Sequence, residues 1–486
     1  MSTSDYQHLE QELIKIVGKE YVLSRTEDLS VYECDGETLD TARPDLVVLP
    51  SCTEEVSQVV KLAGKHKIPI SPRGAGTGLS GGATTIMGGI SLVLTRMKKI
   101  IEIDPENLTA TVEVGVPNLA VSKAAAKWGL YFAPDPSSQI ASTIGGNIAE
   151  NSGGPHTLKY GMTSQHVIGI KVVLADGRVT TFGGKAHDNS GLDLRGVFIG
   201  SEGTLGIAVE ATLKLTPIPI HIETMVAYFP SVEKGGQAVS DIVAEGVIPA
   251  AMEIIDKLTL NAVEDALKLG LQKDAGALLI VELDGQKAGI AAQKEIVVNC
   301  VKKNSAMNIS WAENAEERKS IWKARKSAFG ALGRIAPHAY VLDGVIPRSK
   351  LAATISAIAS IGDKYKVTIA NVYHAGDGNL HPAILFHRDN QEESLRVMKA
   401  AHEILELCLK LGGTLSGEHG IGIEKLAEMP LAFSEIDLKC MAYLHDAFNP
   451  HGLLNPGKVV PNLKTCGESG IRPLLRHQLS AAGTLN

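Results

Sequence analysis

Cysteine is scarce and scattered. The six thiols, Cys34, Cys52, Cys300, Cys408, Cys440 and Cys466, form no C-x-x-C pair. None of the spacings that hold an iron–sulfur cluster occurs. In a chain of 486 residues this usage predicts reduced thiols and a cytosolic protein. Excess positive charge is also lacking. The net charge of -7 argues against a general nucleic-acid binder, which carries a basic patch or stripe. No apolar run reaches the roughly 18 residues that a membrane span needs. The N-terminus, MSTSDYQHLEQEL, has no basic-then-apolar secretory pattern. The expectation is a soluble cytoplasmic protein, with peripheral docking at the inner face of the membrane left open. Internal repeats and low-complexity tracts are absent too.

What is present suffices for two or three domains with a sizeable core, since 44% of the residues are hydrophobic. Residues 1–220 hold most of the glycine-rich runs and alternate short helices with short strands. Thr53 precedes Glu54 and Glu55, and apolar residues then recur at helical spacing, which predicts an N-capped helix. Ile68–Ser71 and ISLVLTRM (90–97) read as strands. IIEID (100–104) and TATVEVGV (109–116) predict a hairpin around PENL, and Pro117 opens a helix. TPIPI, from Thr216, marks a boundary. Residues 221–460 read as a second α+β unit, in which VTIANVY (367–373) and PAILFH (382–387) are strands. Residues 461–486 read as a terminal arm.

Glycine is concentrated in three loops. PRGAGTGLSGGA (72–83) has five glycines in twelve residues. A nucleotide-triphosphate loop would end in Gly-Lys-Ser/Thr and run into a helix, and a dinucleotide fingerprint also needs the helix. Here a strand follows and the lysine is missing. Taken alone, the loop also admits a plain glycine-rich surface turn. The second run, 134–163, contains Gly145, Gly146, Gly153 and Gly154 with Asn147 and Asn151 between them. The third is GSEGTLGI (200–207). Three such loops in one domain suit a long flat ligand with several polar stations, and free backbone N–H groups cradle phosphate oxygens.

Further on, YHAGDGNLHP carries His374 and His381 on either side of Gly376–Asp377–Gly378, and SGEHGIGIEK carries Glu418 and His419. Two histidines and a carboxylate are a common divalent-metal shell with an open position. A polar hairpin whose histidines bond nearby backbone is the alternative for either histidine alone.

PRGAGTGLSGG, STIGGNIAENSGGPHTLKYG and GSEGTLGI, followed by HAGDGNLHP, SGEHGIG and LLNPGK, resemble the vanillyl-alcohol oxidase/p-cresol methylhydroxylase superfamily in order and spacing. The resemblance covers about residues 40–460. Within it, WKARKSAFGALGRIAP and DGVIPRSKL are similar to the D-2-hydroxyacid dehydrogenase branch and the D-subunit family of bacterial glycolate oxidases. The implied fold class is α+β: a two-subdomain FAD-binding domain plus a C-terminal cap domain with an antiparallel sheet.

The resemblance implies that Pro72, Arg73, Gly74, Ala75, Gly76, Thr77, Gly78, Leu79 and Ser80 take the FAD pyrophosphate. Pro134, Asp135, Gly145, Gly146, Asn147, Asn151, Gly154, Tyr160 and Gly161 would line the flavin and its ribityl chain. Gly203, Thr204 and Ile207 would complete the site near the adenine half, and Asn455 would touch the ring. With neither His nor Cys in the first loop, FAD should be non-covalent. His374, His381 and Glu418 would hold zinc or manganese, His419 would be the base, and Arg325 the substrate-carboxylate cation. Arg348 and Lys326 are weaker candidates for that cation.

The implied reaction is oxidation of a small 2-hydroxy acid, glycolate to glyoxylate or D-lactate to pyruvate, by hydride transfer to flavin N5. Relatives that take longer dicarboxylates carry a lysine and an asparagine where this chain has Val341 and Ala383, which argues for a small substrate. Electrons would pass to a partner, namely a second flavoprotein-like subunit and an iron–sulfur subunit of a glycolate oxidase complex. The alternatives are a D-lactate dehydrogenase acting without partners, a non-catalytic flavin scaffold, and a metal-dependent hydrolase.

Overall fold

The computed structural model describes residues 3–186 and 191–461. The chain forms two compact units. The first contains the residues up to and including Gly153, then Met162–Ile218, and the segment from Glu418 onward; the second contains Gly154–Gly161 and Pro219–Gly417. From residue 462 on, the expected terminal arm lies outside the described residues.

In the first unit a four-stranded sheet runs in the order Val22–Leu23, Leu46–Val48, Ile90–Val93, Ile70–Arg73. The helix Thr53–His66 stands where the sequence predicts it. The following strand is Ile70–Arg73, two residues later than expected. Lys67 caps the helix in the left-handed conformation, and the Ile68 N–H bonds back to the Ala63 carbonyl, so Ile68 belongs to the helix stop. The strands Ile70–Arg73 and Ile90–Val93 pair in parallel, and the glycine loop between them contains no helix. A second, antiparallel sheet has the order Ile100–Asp104, Thr109–Glu113, Ile207–Lys214, Val167–Val173, Val179–Gly183. Its first two strands are the predicted hairpin, and Pro117 caps the predicted helix Asn118–Ala125.

The second unit is built on one antiparallel sheet of eight strands. The central run is His221–Phe229, Ala277–Gly285, Ala251–Asp256, Thr368–His374, Asn379–Phe386 and His338–Val341. Strands Ala251–Asp256 and Asn379–Phe386 are buried at every position, so helices cover both faces. The helices Lys257–Leu267, Ala315–Lys326 and Ala328–Leu332 pack together on one of them. The five described cysteines are free thiols. No helix among the described residues is long and apolar enough to cross a membrane.

Candidate active site

Side chains alternate across a strand, so residues two apart share a face. In the second unit the register sets Val372 opposite His381, His374 opposite Asn379, and Glu253 opposite His374. Glu253, His374 and His381 therefore share one face, the face covered by the helix that carries Arg325. The two imidazoles stand 5.0 Å apart, nearly perpendicular. His381 Nδ1 lies 3.2 Å from the Leu342 carbonyl, and His374 Nδ1 lies 2.8 and 3.0 Å from the two carboxylate oxygens of Glu253. Both partners are acceptors, so both rings carry the proton on Nδ1. In the neutral form of each ring Nε2 then keeps its lone pair, the arrangement that paired histidine ligands of a metal adopt.

Arg325 is only 2% exposed. Its Nε donates to Glu253 Oε2 at 2.5 Å. Burial pushes the Glu253 carboxyl up, but Arg325 and His374 outweigh it and hold the group below the usual glutamate range. Sequence reasoning missed Glu253. Its only signal is a lone acid inside AMEIID, an otherwise apolar strand that ends on its capping aspartate. The weaker candidates take other places: Arg348 Nη1 donates to the Gly376 carbonyl at 3.3 Å, and Lys326 is exposed. Val341 and Ala383 are cross-strand partners. Both join the apolar cluster of Ala328, Leu332 and Val372, so no polar group is available at either position for a second substrate carboxylate.

Gly154, Tyr160 and Gly161 belong to this second unit, apart from the other expected flavin residues. Lys159 and the Tyr160 hydroxyl are both held by Asp284, and His156 lies 3.1 Å from Glu282.

The remaining flavin-loop candidates lie in the first unit. Arg73 is 8% exposed, with its guanidinium beside the Tyr32 ring. Its Nη1 has no hydrogen-bond partner among the described residues, and burial lowers its pKa. Gly76 sits at φ +70, and a Cβ there would lie 2.1 Å from Arg73 Nη2. A left-handed glycine and a buried guanidinium N–H in need of an acceptor make a fitting cradle for an anion such as a diphosphate. Gly203, at φ +73, lets the third loop cross the first, because a Cβ there would stand 2.4 Å from Pro72 Cγ.

Other expected flavin contacts have structural partners. Asn147 Oδ1 accepts from Asn118 Nδ2, which also donates to the Pro134 carbonyl. Asn151 Oδ1 accepts from the Ser164 N–H. The Asn455 amide donates to the carbonyls of Gly82 and Glu202, at 2.9 and 2.6 Å, and so ties the first loop to the third. Thr204 Oγ1 donates to the Ser201 carbonyl.

Glu418 and His419 open the segment that returns to the first unit. The preceding Gly417 N–H is held by Asp343 Oδ2 at 3.0 Å within the second unit. Downstream, Glu202 Oε1 accepts from the N–H groups of Ile421 and Gly422, at 2.7 and 3.0 Å. Glu202 was legible only as the acid inside GSEGTLGI. It is one of several buried ionic groups in this unit. Burial raises the Glu202 and Glu150 carboxyls, takes Asp35 to about 7 and lowers Lys458 to about 8.

Two family models match this chain: "FAD binding domain" over residues 44–183 and "FAD linked oxidases, C-terminal domain" over 218–459. Glycolate oxidase subunit GlcD of Escherichia coli is 45% identical, over 92% of this chain and 90% of that protein. The GlcD subunit of Bacillus subtilis is 42% identical, over 93% and 96%. A D-lactate dehydrogenase of Archaeoglobus fulgidus is 34% identical, over 86% and 92%. The fold matches p-cresol methylhydroxylase with a TM-score of 0.79 at 20% identity, over 96% of this chain and 98% of that one. The chain is an FAD-linked oxidoreductase and belongs to the family of the glycolate oxidase subunit GlcD.

Proposed function

We propose that this chain oxidises a small 2-hydroxy acid, glycolate to glyoxylate or D-lactate to pyruvate, with non-covalent FAD and a divalent ion. The observation that carries the reading is the Arg325–Glu253–His374–His381 constellation, in a chain related to GlcD subunits and D-lactate dehydrogenases. FAD, when bound, supplies the acceptor for the hydride leaving the substrate C2. Zinc or manganese held by His374, His381 and Glu418 would lower the pKa of the substrate hydroxyl.

The chain's own residues do the rest. Arg325 has its Nε committed to Glu253 and keeps its two Nη groups for the substrate carboxylate, as a planar fork. An imidazole nitrogen of His419 takes the hydroxyl proton, since a histidine titrates near neutrality. The apolar Val341–Ala383 pair favours a short substrate over a dicarboxylate. Electrons then pass to a second flavoprotein-like subunit and an iron–sulfur subunit, a reading that extends the word "subunit" in the name of the GlcD relatives.

Anaerobic mixing of the FAD- and metal-loaded chain with glycolate, D-lactate, L-lactate and D-2-hydroxyglutarate tests the reading. Bleaching of the oxidised flavin band is expected with glycolate or D-lactate and not with the other two. Fast bleaching by L-lactate or D-2-hydroxyglutarate would overturn the substrate assignment.

The diphosphate role of the first loop has its own test. Arg73→Met removes a charge-assisted hydrogen bond, worth about 1.5–3 kcal/mol. FAD affinity, read by quenching of flavin fluorescence, is expected to fall by about 10- to 100-fold. An unchanged affinity would reassign Arg73 to the Tyr32 contact alone.

A further inference from the structure

The Glu253 carboxylate touches two groups with different tasks. Its Oε2 accepts from Arg325 Nε at 2.5 Å, and both its oxygens face His374 Nδ1, at 2.8 and 3.0 Å. All three side chains are buried. His381, the other member of the histidine pair, has its Nδ1 3.2 Å from the Leu342 carbonyl. At His374 the Nδ1 partner is a carboxylate that is shared with Arg325.

We propose that Glu253 is a positioning residue that fixes the His374 tautomer and the Arg325 fork with one carboxylate. It thereby couples metal affinity to substrate-carboxylate affinity. The inference rests on the metal and substrate roles proposed above.

The chemistry of the three partners supports it. Arg325 Nη2 stands 3.4 Å from His374 Nδ1. In the tautomer that Glu253 imposes, both of those nitrogens are donors and cannot bond to each other. Without the carboxylate the histidine could turn its Nδ1 lone pair to the guanidinium and place its proton on Nε2, where a metal cannot bind. A glutamine at 253 has one acceptor and one donor in place of two acceptors. It can satisfy Arg325 Nε or His374 Nδ1–H, and its NH2 opposes the other. An aspartate keeps both acceptors but stands one methylene farther back.

The test uses the FAD-loaded, metal-stripped chain titrated with Mn2+ and, separately, Zn2+ by calorimetry. Wild type is expected to bind one ion per chain, and Glu253→Gln to bind it about 10- to 100-fold more weakly at equal FAD content. Glu253→Asp should recover part of the loss. At saturating metal, Glu253→Gln should raise KM for glycolate more than it lowers kcat, because the Arg325 fork loses its anchor. Wild-type metal affinity in folded Glu253→Gln would overturn the inference while leaving the metal reading intact. A wild type that binds no ion would sink the metal reading and the inference with it.

Should the glutamine variant fail to fold, 15N-histidine spectra of metal-free wild type decide the matter, with His374→Gln for assignment. An Nδ1–H tautomer at His374 is the expected result. An Nε2–H tautomer overturns the proposal.

Discussion

Replacing His419 with alanine is expected to slow anaerobic bleaching of the flavin by glycolate about 100- to 10,000-fold, the usual worth of a general base. FAD content should not change. The Ile421 and Gly422 N–H groups that anchor the loop to Glu202 belong to the backbone, and alanine keeps them. Stopped-flow reduction under saturating substrate is the measurement. A rate within tenfold of wild type would remove His419 from the proton transfer. It would leave the FAD and metal assignments standing, since those are read from binding.

Arg325→Met should produce two effects that can be separated. The first is on binding: loss of the cation proposed for the substrate carboxylate is expected to raise KM for glycolate by at least about 30-fold, equivalent to about 2 kcal/mol or more for a buried charged partner. The second is on stability. Glu253, with no exposed side-chain surface, would lose its guanidinium. Breaking a buried pair from one side costs about 3–5 kcal/mol, because the remaining charge is left uncompensated. The double variant Arg325→Met/Glu253→Gln removes that stranded charge. Its melting temperature should recover most of the loss, while its KM stays high. Parallel recovery of both would mean that the single variant acted through folding alone. A folded Arg325→Met with wild-type KM would transfer the substrate carboxylate to another cation.

These expectations draw on features of unequal legibility. The glycine loops could be read directly, since a left-handed φ at Gly76 and the close crossing of Gly203 over Pro72 need a missing Cβ whatever the rest of the chain does. The absence of a helix after the first loop was also legible, because a β-branched strand follows there. The shared face of His374 and His381 follows from strand periodicity across a short turn, so local pattern sufficed. Asn147 lies in the helix Ile144–Glu150 and Asn151 caps it, and the side chains of both, like that of Asn455, bond to neighbouring protein groups. An asparagine in a glycine-rich run looks the same in sequence whether it meets a ligand or a neighbouring backbone.

By itself, the sequence determined the class of the protein, the three loops, the histidine pair and the apolar residues at 341 and 383. Each of these depends on residue type and short spacing. Tertiary structure alone decided the partners. Glu253 and His374 are 121 positions apart, and Arg325, 72 positions from Glu253, meets it only because its helix closes over the sheet. Residues 154–161, embedded in a flavin-loop motif, join the second unit because Asp284 holds Lys159 and Tyr160 from more than a hundred positions away. A buried charge must find its counter-charge in space, and nothing local to the chain records where that partner will lie.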